Sequence, residues 1–321
     1  MKLIPTLLFR ISAIAVTCAM ASPASAEEWP TRPVRLIAAF PPGTPGDVIA
    51  RLIQPALQAA WKQPVIVDNK PGAGGNLAAA EVAQAKDGHT LLVGPDTVLT
   101  INPHLYKRMS FDLRGSLRPV TYFASFNQVL VCNPAAGISS LKQFAQLPAS
   151  RTYASGGAGS PSHMTMEMLQ TTIGTKLTHV PYKGPGPAAL DVMSGTVDCG
   201  FIVGSVVLPH IQGGKLRAIS VSGAQRSGLL PNVPTVAESG HAGFDATFHE
   251  TLMAPAGLPL PVVDKIQRDV RAALETSAMK SRLAEMDLRV EASSTAEAQR
   301  LSREDFAKWG TVAQRAGVQL D

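Results

Sequence analysis

The chain has 321 residues, of which 45% are hydrophobic and 17% charged, and its formal net charge is +5. This length exceeds what one hydrophobic core usually supports, and the hydrophobic fraction excludes a disordered or collagen-like chain. The basic excess is small, and no cluster of Lys and Arg with interleaved aromatic residues indicates nucleic-acid binding. Two lobes are therefore expected, with no nucleic acid among the partners.

The first 26 residues have the pattern of a cleavable signal peptide. Lys2 and Arg10 supply a basic region, residues 11–20 are mostly apolar, and Ala24-Ser25-Ala26 fits the small-x-small cleavage signal. The apolar stretch is too short to span a bilayer well. The sequence predicts export, with cleavage before Glu27.

Short strands then alternate with helices along the chain. The predicted strands are residues 34–40, 65–69, 91–94, 129–132, 152–154, 176–180, 199–203 and 216–221. The predicted helices are residues 47–61, 77–85, 140–146, 163–172 and 187–194, followed by 262–276, 278–286 and 295–316. Strands that alternate with helices of this length indicate βαβ units and parallel sheets, so the predicted fold class is α/β.

Two cysteines, Cys132 and Cys199, remain after the predicted cleavage, and each lies in a strand-like segment. In an oxidising compartment they can form a disulfide, but buried free thiols are equally compatible with such segments. They do not form a CxxC or Cys/His ligand pattern. The sequence leaves the pairing open.

The motifs of the common enzyme classes are missing from this sequence. GxSxG, HExxH, the P-loop pattern and GxGxxG after a strand do not occur, and no two histidines stand four residues apart. We therefore predict no catalytic residues, no metal ligands and no cofactor.

Two glycine-rich loops each connect a predicted strand to a predicted helix, at residues 40–47 and 154–163. Glycines allow a close approach of backbone to a ligand, and a helix N-terminus offers unpaired N–H groups with partial positive charge. Neither loop contains Lys or Arg, so an anion there would be held by N–H and hydroxyl groups. Ordinary turn geometry is the alternative for each loop, and Asp47 is also a candidate N-cap.

The sequence resembles the Bug (TctC-type) solute-binding receptors of tripartite tricarboxylate transporters, from about residue 29 to 318. The similarity includes WPTRPVR at 29–35, DGHTLL at 87–92 and PNVPTVAESG at 231–240. Further matching segments are residues 40–47, 69–76, 102–106, 153–160, 179–184, 214–218 and 254–257. Many such segments in the same order make the resemblance specific.

The resemblance implies a two-lobed, type II periplasmic binding protein of the Venus-flytrap kind, with the ligand between the lobes. Lobe 1 would comprise residues 27–126 plus 253–321, and lobe 2 residues 127–252. The resemblance also implies a periplasmic monomer that captures a small carboxylate and delivers it to a membrane permease. Carried over by position, the ligand-binding residues are Pro42, Gly43, Thr44 and Asp47 in lobe 1 and Ser155, Gly156, Gly159, Ser160 and His163 in lobe 2. Thr97 (or its neighbour Asp96) and Asp198 are further candidates, while Tyr182 and Lys183 either contact the ligand or pack near the hinge.

The sequence departs from the family pattern at two places. Thr44 and Pro45 follow Gly43 where a second glycine is common, and Phe248-His249-Glu250-Thr251 replaces a common Trp-x-Gly segment. His249 and Glu250 either line the cleft, favouring a ligand with a donor or a cationic group, or belong to a solvated loop.

Two other functions are compatible with the sequence. A receptor of the same fold can report its ligand to a signalling protein instead of a permease. A secreted hydrolase would use Ser155 or Ser160 with His163, although no acid is evidently placed to orient that histidine.

Overall fold

The computed structural model describes residues 29–107 and 112–320, and the predicted signal peptide lies outside these residues. Within them the chain forms two sheets with helices on their faces. In chain order the strands are β1 (Val34–Ala38), β2 (Val65–Asn69), β3 (Thr90–Pro95), β4 (Leu117–Phe126), β5 (Gln128–Cys132), β6 (Thr152–Ser155), β7 (Thr178–Pro181), β8 (Cys199–Val203), β9 (Arg217–Val221), β10 (Phe248–Pro255) and β11 (Arg289–Val290).

The helices are distributed between the two sheets. They are α1 (Pro45–Trp61), α2 (Asn76–Gln84), α3 (Thr97–Thr100), α4 (Asn102–Leu105), α5 (Leu113–Ser116), α6 (Leu141–Phe144), α7 (Pro161–Ile173), α8 (Pro185–Ser194), α9 (Gly204–Gln212), α10 (Leu260–Leu274), α11 (Ser277–Ala284) and α12 (Thr295–Ala316). None of these helices is long and apolar enough to cross a bilayer.

The first sheet has six strands in the order β11-β4-β10-β3-β1-β2. β1 pairs parallel with β2 and β3, whereas β10 pairs antiparallel with β3 and β4. Helix α1 covers this sheet with Ile49, Ile53, Leu57 and Trp61, which are spaced four residues apart and all buried. That spacing places them on one face of the helix, as the sequence predicts.

The second sheet has five strands in the order β7-β6-β8-β5-β9. β6 pairs parallel with β7 and β8, and β5 pairs antiparallel with β8 and β9. The predicted α/β class with two lobes is confirmed, one lobe being built on each sheet.

Two strands of the first sheet carry the chain between the lobes. β4 ends at Phe126 and β5 begins at Gln128, while β10 returns from the second lobe and begins at Phe248. The predicted boundary at residue 253 falls inside β10 and is wrong, because residues 248–252 already pair with β3 or β4. All but one residue of each strand is buried, so neither shows the alternation of polar and apolar residues by which the sequence could have located it.

Helix α12 packs against β4 of the first lobe and also against α7 of the second lobe. The ring of buried Trp309 stacks on Phe248 with centroids 4.9 Å apart, and Phe248 stacks on Phe126 at 5.8 Å. The helix begins at the N-cap Ser294, which accepts a hydrogen bond from the backbone N–H of Glu297, and ends before Gly317 in the left-handed conformation. Aromatic contacts therefore support the crossing point directly.

Cys132 and Cys199 form a disulfide in the second sheet. The two residues are directly opposite each other in the antiparallel pair β5–β8, with their Cα atoms 4.0 Å apart. The question that the sequence left open is answered by this pairing.

Removal of the disulfide should destabilise the protein by about 4 kcal/mol, because 67 residues separate the cysteines and the crosslink restricts the unfolded chain. We expect urea unfolding to occur at lower denaturant in the presence of dithiothreitol. A Cys132→Ala/Cys199→Ala variant should unfold at that lower midpoint with or without the reductant. Equal midpoints for the oxidised and reduced wild-type protein would contradict this prediction.

Candidate ligand-binding cleft

A cleft of about 660 Å³, including space open to solvent, lies between the two sheets. Its lining from the first lobe comes from the end of β1 and the start of α1, from the end of β3, and from Glu250 on β10. Its lining from the second lobe includes Gln128, Gly156, Gly184 and Val203. The carboxyl ends of strands β1, β3 and β8 meet at this cleft, which is the usual ligand position in open α/β sheets.

Three helix N-termini converge on the cleft. Pro45 of α1, Pro161 of α7 and Pro185 of α8 are the first residues of their helices, and all three line the cleft. Proline suits the first helical position because its missing N–H would have no helical partner there. The unpaired N–H groups and the helix dipoles therefore make this region favourable for an anion.

The first of these N-termini is organised by Thr44, which is the N-cap of α1. The Thr44 hydroxyl donates a hydrogen bond of 2.8 Å to the carbonyl of Pro41, so it does not cap the helix with its side chain. The predicted N-cap role of Asp47 is wrong, because the helix starts two residues before it. Proline at the first position extends the helix towards the loop.

Asp47 instead holds the loop in place through its carboxylate. Its oxygens accept hydrogen bonds of 2.9 Å from the backbone N–H of Gly43, from Arg51 Nε and from Asn69 Nδ2. Burial opposes ionisation of this carboxyl, but the three donors outweigh burial and hold its pKa below the usual value. Asp47 is only 3% exposed, and its carboxylate is occupied by these three donors from the protein itself.

The second N-terminus belongs to α7 and follows the predicted Ser/Gly loop. Ser160 is the N-cap, accepting a 3.4 Å hydrogen bond from the backbone N–H of His163. The Ser162 hydroxyl accepts a hydrogen bond of 2.8 Å from the backbone N–H of Gly156. Both hydroxyl groups and Gly156 lie at the cleft.

Gly159 shows how this loop meets the first lobe. It has φ of +75°, and a Cβ there would lie 3.0 Å from Leu105 Cδ1 and 3.2 Å from Leu320 Cδ1. The backbone N–H of Leu320 donates to the carbonyl of Leu105 at 2.7 Å, which fixes this C-terminal segment against α4. Gly159 is therefore an interlobe contact and does not line the cleft.

His163 lies beneath the loop and orders it. Its Nδ1 accepts a hydrogen bond of 3.0 Å from the backbone N–H of Gly159, and its ring stacks on His179 with centroids 4.1 Å apart. Ser155 is hydrogen-bonded to His179 Nε2 at 2.6 Å. Within the described residues, the His163 ring therefore bonds Gly159, not the hydroxyl of Ser155 or Ser160 as the hydrolase hypothesis requires.

Glu250 is the one carboxyl of β10 that faces the cleft, and it is 3% exposed. Its Oε2 is buried and has no hydrogen-bond partner within the described residues. Burial raises the pKa of Glu250 to about 8, with a smaller contribution from the Asp96 carboxyl. A Cβ on Gly46 would lie 2.5 Å from Oε2, so a larger residue there would displace the Glu250 carboxyl. The solvated-loop interpretation of residues 249 and 250 is wrong, because both are buried in a strand.

The predicted ligand residues near the cleft divide into three groups. Thr44, Asp47, Gly156 and Ser160 line the cleft, and their contact with a ligand stays a prediction. Pro42 and Gly43 are exposed at its rim, while Thr97, Ser155, Gly159 and His163 lie behind its walls.

The assignment of Asp198 to the cleft needs correction. This residue precedes β8, and its carboxylate accepts hydrogen bonds from Arg151 and from the backbone N–H of Thr152, at 2.5 Å and 2.8 Å. β6 begins at Thr152 and runs parallel to β8, so Asp198 lies at the amino end of the sheet. The cleft lies at the carboxyl end.

Tyr182 is a packing residue. Its hydroxyl donates a hydrogen bond of 2.6 Å to Asp191 Oδ2 on α8, and its side chain packs against buried apolar residues of the second lobe. Lys183 is exposed.

Sequence reasoning missed the apolar walls of the cleft. These are formed by Phe40, Val93, Phe126 and Val203, together with Gly184 and Pro185 at the start of α8. The Gly-Pro-Gly-Pro run at residues 184–187 was the available signal for the third N-terminus. Single apolar residues at strand ends carry no comparable signal.

Two α/β lobes are joined by crossing strands, and the cleft between them is lined by helix N-termini. This arrangement defines the class of two-lobed solute-binding proteins. Residues 49–318 match the family model described as TctC, the tripartite tricarboxylate transporter family receptor. The chain belongs to this family, as the sequence resemblance predicts. It is a family of solute-binding receptors.

Several relatives resemble the whole chain. Protein BugT of Bordetella pertussis is 32% identical over 320 residues, covering 98% of each chain. Rpa4515 of R. palustris, solved with adipate, has a TM-score of 0.84 and 30% identity, covering 91% of this chain and 99% of its own. MatC of Rhodopseudomonas palustris, solved with bound malate, has a TM-score of 0.81 and 30% identity, covering 88% and 99%. The periplasmic binding protein BugD has a TM-score of 0.81 and 29% identity, covering 91% and 99%.

Replacement of Asp47 by Ala should lower stability by about 1–3 kcal/mol, because the N–H of Gly43 and the side chains of Arg51 and Asn69 lose their shared acceptor. Thermal unfolding without ligand measures this loss. Asp68→Asn is the matched control, since that carboxylate also pairs with an Arg but its side chain is 55% exposed. Unchanged unfolding of Asp47→Ala together with lost ligand binding would instead assign Asp47 to the ligand.

The stacked pair His163 and His179 should make the protein sensitive to mild acid. Burial lowers the pKa of His163 to about 3, with a further contribution from His179, and burial lowers that of His179 to about 4. Between pH 6.5 and 4 the unfolded chain binds protons that the folded chain does not, so stability falls as pH falls. The titratable groups that face the pair include Glu167, whose Oε1 is 3.7 Å from His163 Nε2, and Tyr153, whose ring stacks on His179.

The free energy of unfolding of the wild-type protein is expected to fall by about 2–4 kcal/mol between pH 7 and 4.5. A His163→Gln/His179→Gln variant should start lower and lose clearly less over this interval, whereas His241→Gln should follow the wild type. Chemical denaturation at each pH provides the measurement. Parallel pH profiles for the wild type and the double variant would exclude the pair as the cause.

Proposed function

We propose that this protein is exported to the periplasm, captures a small carboxylate between its lobes and delivers it to a membrane permease. The observation that carries the proposal is the convergence of three helix N-termini on one cleft shared by both lobes. Adipate and malate in the solved relatives are carboxylates, which supports the same ligand class here. Binding without chemical conversion is the expected role.

The carboxylate group is expected to bind on the second lobe. There the N-termini of α7 and α8 meet, and Ser160, Ser162 and Gly156 supply hydroxyl and backbone groups. Hydrogen bonds to an ionised group contribute about 1.5–3 kcal/mol each, so a few such contacts suffice for orientation. A ligand held here would also touch the first lobe across the cleft. Such a bridging ligand favours the closed arrangement over the open one.

Glu250 indicates what the other end of the ligand carries. Its buried, unpartnered Oε2 faces the cleft from the first lobe, beside the N-terminus of α1. A hydroxyl, amide or ammonium donor on the ligand would satisfy this oxygen. Because burial raises the pKa of Glu250 to about 8, this carboxyl keeps a proton at neutral pH and could equally donate a hydrogen bond to a second carboxylate. The preferred ligand is therefore a carboxylate with a hydrogen-bonding group at its far end and an apolar body between them.

A thermal-shift screen of matched ligands tests both carboxylate capture and the role of Glu250. It pairs dicarboxylates with their monoamides or amino acids of equal length, for example adipate with 6-aminohexanoate and succinate with succinamate. A ligand at 100 times its Kd should add about 2.7 kcal/mol of stability. We expect Glu250→Leu, which has no polar group, to reduce the shift from both members of each pair, while Glu250→Gln should retain it.

The outcomes distinguish a failure of the Glu250 role from a failure of carboxylate capture. Equal shifts for the wild type and Glu250→Leu would overturn the role of Glu250 and leave carboxylate capture intact. If neutral solutes stabilise the protein and no carboxylate does, carboxylate capture itself fails. Affinity purification of the receptor from membranes then distinguishes a permease partner from a signalling protein.

A further inference from the structure

A second cluster of polar side chains lies outside the ligand cleft, where β3, β10 and α12 meet. Asp96 follows β3, His249 is on β10 and Asp305 is on α12. One potential ligand atom from each residue lies within 4.8 Å of the other two, and the residues are only 1%, 9% and 8% exposed. None of the three lines the cleft between the lobes.

Each carboxylate of this cluster has one oxygen held by the protein. Asp96 Oδ1 accepts a hydrogen bond of 3.3 Å from the backbone N–H of His249, while its Oδ2 is buried without a partner within the described residues. Asp305 Oδ1 is 2.7 Å from the Lys308 ammonium, which leaves Oδ2 to face His249. One oxygen of each group is thus available to a further partner.

The imidazole of His249 is oriented in the same way. Its Nδ1 is 3.0 Å from Glu291 Oε2, which fixes the ring, and its Nε2 is 4.0 Å from Asp305 Oδ2. That second distance is too long for a hydrogen bond. A histidine that gives one ring nitrogen to a carboxylate and turns the other towards further donors has the arrangement of a metal ligand.

We propose that Asp96, His249 and Asp305 form a binding site for a divalent transition-metal ion. Neighbouring donors at about 2.0–2.2 Å from a tetrahedral ion are about 3.3–3.6 Å apart, so the three ligand atoms, which lie within 4.8 Å of one another, would draw together by about 1 Å when an ion binds. One imidazole nitrogen with two carboxylate oxygens suits Zn²⁺ or Mn²⁺ better than Mg²⁺ or Ca²⁺, which prefer oxygen alone. Glu291 is the positioning residue that acts through His249.

The surroundings allow an ion to enter and to complete its coordination. His249, Asp305 and Glu291 line a second cavity of about 2060 Å³, including space open to solvent. Three ligands from the protein leave positions for water from this side. The bound ion would tie β3, β10 and α12 together at the place where the chain crosses between the lobes.

Without an ion, the same side chains would form a cluster of carboxylates around a protonated imidazole. Lys308 and Arg289 also face the group, at 2.7 Å from Asp305 and 3.7 Å from Glu291. The two arrangements predict different responses to added metal.

Calorimetric titration of the purified, EDTA-treated protein with Zn²⁺ tests the site, using chain without a polyhistidine tag. We expect one Zn²⁺ per chain, a higher melting temperature with Zn²⁺, and loss of both effects in His249→Gln and Asp305→Asn. Glu291→Gln should weaken binding by about 10–100-fold. Lys308→Met should tighten binding, because it removes a cation beside a ligand. Glu304→Gln, which lines the same cavity with an exposed side chain, is the matched control and should bind as the wild type does.

A second measurement needs no variant of a buried residue. Co²⁺ added to the wild-type protein should give visible absorption bands that one equivalent of Zn²⁺ removes. Absence of Zn²⁺ binding by folded wild-type protein would overturn the proposal in favour of the protonated cluster. Unchanged affinity and stoichiometry in folded His249→Gln would overturn it in favour of adventitious surface binding.

Discussion

The architecture depends on the antiparallel pairing of β4 with β10, because these two strands carry the chain from one lobe to the other and back. Phe126 and Phe248 are opposite each other at the end of this pair, and Trp309 covers Phe248. β10 also pairs with β3, so main-chain hydrogen bonds on both edges hold its residues in place. A strand anchored in this way is a rigid base from which a hinge can move the second lobe.

Three consecutive residues of β10 serve three parts of the molecule. Phe248 packs in the aromatic contact with α12, His249 meets Glu291 and Asp305, and Glu250 faces the ligand cleft. A backbone shift caused by a substitution at one of these positions would therefore also move the other two. The departure of residues 248–251 from the family pattern thus alters the cleft and the region behind it together.

Much of the fold follows from local patterns in the sequence. α1 was predictable from apolar residues four apart, and α12 from Ser294, Glu297 and Gly317 at its ends. β4 and β10 were not, since strands buried on both faces lack polar alternation and their pairing joins residues far apart in sequence. The same reason explains the cleft: glycine-rich loops are visible locally, whereas the approach of Glu250 to Gly46 depends on tertiary structure. Asp198 was wrongly placed at the cleft because it precedes β8 and so lies at the amino end of the sheet, whereas the cleft is at the carboxyl end.

The contact of Leu320 with Gly159 has a practical consequence for following lobe movement. Leu320 is fastened to the first lobe through Leu105, and its side chain meets a loop of the second lobe. A separation of the lobes at this point would move Leu320 away from Gly159, and neither residue lines the cleft. Gln319 beside it is exposed, and both Cys132 and Cys199 are engaged in the disulfide. A fluorophore on Gln319→Cys would therefore report opening and closing optically without occupying the cleft.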